Sequence, residues 1–87
     1  MNEDLRSLLI ENFNPNFLAY EFIEKNVLNL VMSSACFINQ PMPERVRSVY
    51  ACIENKLPFL LEEYVIYVNA FTDTEIAELR DYYNNEV

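Results

Sequence analysis

Residues 14–39 read Asn14-Pro15-Asn-Phe17-Leu-Ala-Tyr20-Glu-Phe22-Ile-Glu24-Lys-Asn-Val27-Leu-Asn-Leu30-Val-Met-Ser-Ser34-Ala-Cys36-Phe-Ile-Asn39. The fold turns on how this run is read. Proline is tolerated in the first turn of a helix but not inside one, so Asn14-Pro15 marks a start, with Asn14 as the cap. Beyond it, Tyr20, Ile23, Val27, Leu30, Ser34 and Ile38 recur at steps of three and four, which places them on one helical face. Phe17, Leu18, Phe22, Leu28, Val31 and Phe37 cover the other sides. A helix apolar nearly all round belongs at the centre of a bundle. The run is therefore expected to be one long central helix over 15–39.

The rest of the chain supports that expectation. None of the 87 residues is glycine. Tight hairpin turns rely on positive φ, for which only asparagine substitutes here, so a sheet built of hairpins is disfavoured. Pro41-Met42-Pro43 and Leu57-Pro58 are further points where helices begin. Helices are expected at about 3–12, 15–39, 43–56, 58–70 and 73–84. In the third, Val46, Val49, Tyr50 and Ile53 form the apolar stripe, Glu44 suits the positive end of the dipole, and Arg45, Arg47 and Lys56 point elsewhere. In the fourth, Leu61, Tyr64, Val65 and Val68 share a face. The fifth starts with a capping box, Thr72 to Glu75, flanked by a hydrophobic staple of Phe71 and Ile76. Ile76, Leu79 and Tyr83 form its narrow buried seam. The expected fold is all-α, a single domain over 1–87, built as a compact four- or five-helix bundle without a sheet.

Composition narrows the function. The chain is 52% hydrophobic and 14% aromatic, which is high for a small domain with little interior. A two-fold homodimer would bury that excess. Fourteen acids face six bases, for a net charge of −8, and eight of the acids lie in 54–87. Direct nucleic-acid binding is disfavoured by that charge, and a basic protein partner is its complement. The N-terminus has no signal-peptide pattern, and the apolar stretch at 27–38 is too short to cross a bilayer, so neither export nor a membrane role is expected. The expected location is the cytoplasm, with Cys36 and Cys52 as reduced, buried thiols.

Catalytic chemistry has little to work with. There is no histidine, which removes the commonest base and metal ligand, and no glycine-rich phosphate loop. No catalytic, cofactor-binding or metal-ligating residues are expected, and the chain is not expected to be an enzyme. What stands out is acid interleaved with tyrosine near the C-terminus. Glu62 and Glu63 on one helix and Glu75, Glu78, Asp81 and Tyr82 on the next would merge into one patch if those helices packed antiparallel. Tyrosine supplies contact area at small entropic cost while carboxylates steer a basic partner. These six residues are the expected partner-binding set. The expected function is a small acidic inhibitor that occupies a basic surface on another protein, of the immunity, antitoxin or phage anti-defence kind. The alternative is a structural or adaptor subunit that joins itself or a larger complex through apolar helices.

Leu60-Leu61-Glu62-Glu63, then Tyr67, Phe71, Thr72, Glu75, Ile76, Leu79, Tyr82 and Tyr83, resemble the C-terminal signature of a family of uncharacterised helical bacterial proteins. The resemblance implies an all-helical fold and carries no activity. It departs from that family in lacking the Ser-Pro and glycine that follow the aromatic pair.

Overall fold

The run 14–39 is extended for most of its length. The computed structural model of the chain describes residues 3–85. Within the run it holds β1 (Phe17–Glu24), β2 (Val27–Ser33) and a short 3-10 turn at Ala35–Phe37. Around it stand α1 (Glu3–Phe13), α2 (Met42–Lys56), α3 (Pro58–Glu63), β3 (Val65–Phe71) and α4 (Asp73–Asn85). The strands form one sheet in the order β1-β2-β3, with β1 antiparallel and β3 parallel to β2. The all-α expectation is thus corrected to an α/β fold, and both the central helix at 15–39 and the helix continuing from 63 to 70 are replaced by strands.

The hairpin forms without glycine because its turn does not use positive φ. Among the described residues, Asn14 and Asn39, at φ 43° and 67°, lie in that region, and neither belongs to the Lys25-Asn26 turn. Instead the pairing slips between Phe22 and Glu24, and the bulge absorbs the twist that a tighter mirror-image turn would supply. The parallel pair needs no hairpin at all. It needs a long crossover, which residues 34–64 provide with α2 inside it.

β2 is mostly apolar on both faces because it is the middle strand. Leu28, Leu30 and Met32 are buried on the face beneath the helices, while Val27, Asn29 and Val31 are half-buried on the other face. Segment 58–70 divides at Tyr64, whose φ and ψ of −128° and 147° turn the chain from helix to strand. The β-branched and aromatic run Val65-Ile-Tyr-Val68 then pairs in register with 27–30.

The core lies between one face of this sheet and the helices. Leu5 and Leu9 of α1, Val49 and Ile53 of α2 and Leu60 of α3 close on Leu28, Leu30, Met32, Ile66 and Ala70. Asn14 ends α1 in the left-handed conformation and donates its N–H to the Ile10 carbonyl at 3.0 Å. It closes the first helix and does not cap a second. α4 carries no buried residue among those whose side chains are described, and Leu79 in its expected seam is exposed. The side chain of Tyr83, the seam's other member, lies outside the described residues. No described helix is long and apolar enough to cross a membrane.

Candidate functional site

The clearest concave site lies at the turn end of the hairpin. Leu18, Tyr20 and Phe22 alternate onto the helix-covered face of β1, opposite Met32, Leu30 and Leu28. The helices do not reach far enough to cover Phe22, which stays 51% exposed. On the other side, Pro58 ends α2 and starts the six-residue α3, which brings Phe59, Leu60 and Glu63 across from the hairpin. Between them is a cavity of about 90 Å³, walled by Tyr20, Phe22, Leu28, Leu60 and Ile66. The rings of Phe22 and Tyr64 meet at 5.8 Å across it, and Phe59 at 45% exposure and Glu63 belong to its lining. It is a greasy notch with one carboxylate.

A second organised cluster ties α4 to the rest. Arg45, in the first turn of α2, is almost fully buried rather than pointing away. It donates from Nε to the Gln40 carbonyl at 2.7 Å and from Nη1 to the Ala70 carbonyl at 3.2 Å. It also pairs with Glu75 at 2.6 Å, with a longer contact of 3.4 Å from Nη2. Glu75 accepts the Thr72 N–H at 2.8 Å while its own N–H donates to the Thr72 hydroxyl at 3.2 Å, so the capping box is formed. The Arg45 hydrogen bond, helped by the Thr72 N–H, holds the Glu75 carboxyl below its ordinary range. Asn16 adds a 2.6 Å hydrogen bond to Asp73, and Arg80 lies 5.2 Å over the Phe17 ring.

The six residues expected to bind a partner fall into two groups. Glu62 and Glu63 end α3, before β3; Glu75, Glu78 and Asp81 follow it in α4. A seven-residue strand separates the groups by roughly 20 Å, so no antiparallel helix pair merges them. Glu63 lines the notch and Glu75 is engaged by Arg45 and Thr72. Glu78 lines a shallow groove with Met42, Phe71 and Leu79, and Asp81 is exposed. The Tyr82 side chain lies outside the described residues. Sequence reasoning missed Phe22, Phe59 and Tyr64 as site residues, and Arg45 as a buried anchor.

The cysteines are both free. Cys36 is exposed, whereas burial pushes the Cys52 thiol up, only partly offset by Lys56. Burial also raises the Tyr50 phenol, whose hydroxyl donates to the Ile66 carbonyl. Among the described residues, no three metal-ligating side chains converge.

No family model and no curated protein matches the sequence. Solved structures do match, and they show the fold to be a BolA-like α/β fold. BolA1 from Arabidopsis thaliana superposes with a TM-score of 0.71 at 19% identity, over 84% of this chain and 92% of that one. The BolA domain of SufE1 from the same plant gives 0.69 at 20%, again over 84% and 92%. A bol-like protein from Babesia bovis gives 0.74 at 17%, over 92% and 93%.

These likenesses overturn three expectations. The C-terminal resemblance to a helical bacterial family is set aside, because its Tyr67 and Phe71 lie on a strand of a BolA-like sheet. The immunity, antitoxin or phage anti-defence reading falls, since the matching folds are not of those kinds. The adaptor built on packed apolar helices falls as well, because two of the helices it relied on are largely strands.

Proposed function

We propose that the chain is a non-catalytic, BolA-like module that works by binding, and that the notch at the hairpin's end is its site. The occupant is a branched aliphatic group carried beside a cationic centre. One observation carries this reading: a half-open apolar cavity of about 90 Å³ has a single carboxylate, Glu63, in its lining. An aliphatic cavity of about 150 Å³ holds benzene, so this one suits a group about the size of isobutyl. Burying such a group contributes roughly 2 kcal/mol. A cation beside the exposed Glu63 adds little in water, so the isolated group binds on the order of 10 mM and a larger partner supplies the rest.

The non-catalytic reading is supported by the same wall. Two-carboxylate chemistry lacks a second acid among the lining residues, and the sequence has no histidine to serve as base. The net charge of −8 favours a basic partner over a phosphate backbone.

Titrating 3-methylbutylamine into isotopically labelled protein tests the site. The expected amide shifts centre on Phe22, Leu28, Tyr64 and Ile66. The neutral 3-methylbutanol should bind there slightly more weakly at low salt, and Glu63→Gln should erase the difference. Shifts centred elsewhere, for instance on the groove of Met42, Phe71 and Leu79, would remove the notch as the site.

A further inference from the structure

The two outer strands of the sheet are finished differently. Along the outer edge of β3, α2 supplies two caps: the Tyr50 hydroxyl donates to the Ile66 carbonyl and Arg45 donates to the Ala70 carbonyl. β1 has no such cover. Among the described residues, no hydrogen bond from anything but β2 reaches the main chain of Phe17–Glu24. That edge contains no proline, and its bulge comes only after Phe22, which leaves 17–22 regular, with Arg80 of α4 over the Phe17 ring at one end and the main-chain edge open beyond it. An open edge of that length is a template for another strand.

We infer that this edge takes a fourth strand: an extended segment of a partner protein in which basic and aliphatic residues alternate. The inference rests on the notch reading, because Tyr20 and Phe22 stand on the open strand and in the notch wall at once. A strand laid beside β1 runs about 4.8 Å from it, which carries its own inward side chains to the margin of the notch. Its outward side chains meet Glu21, the exposed acid on the sheet's other face, with Glu24 beyond the bulge. Cross-strand neighbours of opposite charge stabilise a pair, so lysine or arginine fits those positions.

The same charges argue against a second copy of this chain. A two-fold pairing centred on Glu21 sets like carboxylates side by side, on molecules that each carry a net charge of −8. The partner is therefore unlike the protein itself.

The test uses the synthetic peptide acetyl-Lys-Leu-Lys-Val-Lys-Leu-amide with labelled wild-type protein. Two control peptides accompany it, one N-methylated at alternate residues and one with glutamate in place of lysine. Amide hydrogen exchange should slow along 17–22, and the parent peptide should bind at least about tenfold tighter than the N-methylated one, the loss expected for two or three strand hydrogen bonds. The glutamate peptide should bind more weakly still. Equal binding of parent and N-methylated peptides would overturn the added strand, as would failure of the parent while 3-methylbutylamine still fills the notch. The notch reading would survive both results. Failure of both ligands would remove both readings. Protection of 17–22 that grows with protein concentration, without peptide, would mean self-pairing and would overturn the inference. Equal binding by the glutamate peptide would overturn the charge assignment.

Discussion

Glu75→Ala removes one carboxylate that serves two elements, and its cost follows from the geometry. The first loss is the acceptor for the Thr72 N–H at 2.8 Å, worth about 1 kcal/mol for half a capping box. The second is the pairing with Arg45 at 2.6 Å. A hydrogen bond between charged groups contributes about 1.5–3 kcal/mol, but the Glu75 side chain is 42% exposed, so solvent screening brings this nearer to about 1 kcal/mol. Arg45 keeps its bonds to Gln40 and Ala70, so no buried guanidinium is orphaned. The total is about 2 kcal/mol. With a urea slope of about 1 kcal/mol per molar for so small a domain, the midpoint should fall by about 2 M. Glu78→Ala, on the exposed side of the same helix, should leave the midpoint unchanged. Acid gives a second signature. A carboxyl depressed in the folded state contributes fully above its ordinary value of 4.5, and the contribution is lost as pH falls through the folded value. The gap between wild type and Glu75→Ala should therefore be flat from pH 7 to about pH 5 and close below pH 4.5. Equal midpoints for the two variants, or a gap that persists in acid, would refute the anchoring role.

Two further outcomes follow from local structure. Asn14 sits at φ 43°, so Asn14→Gly should hold or raise the urea midpoint, whereas Asn14→Ala should cost about 1–2 kcal/mol. A water-soluble thiol reagent at pH 8 should label Cys36 well before Cys52, because burial both shields the second thiol and raises its pKa; mass spectrometry of a time course reads the order.

The helical part of this fold is written locally. Thr72-Asp73-Thr74-Glu75 specifies the start of α4 by side chains that reach the first free N–H groups, and the observed bonds are those that pattern calls for. Pro43 lies in the first turn of α2, and Asn14 supplies the positive φ at which α1 stops. The strands are not written that way. In 17–33 so many positions are apolar that steps of three and four and steps of two both find matches. Leu28, Leu30 and Met32 alternate with Val27, Asn29 and Val31, which is the strand period, yet Tyr20, Val27 and Leu30 also fit a helix. What separates the two is composition: aromatic Phe17, Tyr20 and Phe22, then the β-branched Val65-Ile-Tyr-Val68, favour the pleated state. The absence of glycine pointed the other way because it counts only turns made at positive φ, whereas this hairpin turns by means of a bulge.

The site was less legible than the fold, for a reason Arg45 makes plain. An arginine in the first turn of a helix faces the positive end of the dipole and gains nothing locally. Such a misplaced charge is a signal that something distant compensates it, and here the Ala70 carbonyl and Glu75 do so from 25 and 30 residues away. Glu63 is the mirror case, an acid in the last turn of α3, where the dipole is again unfavourable. No cation within the described residues is bonded to it, and it lies in the lining of an apolar notch. Counting acids along 62–81 treats Glu63, Glu75 and Glu78 as equals. Asking which charges sit at the wrong end of their helix instead selects Arg45 and Glu63, the first answered inside the molecule and the second left for something outside it.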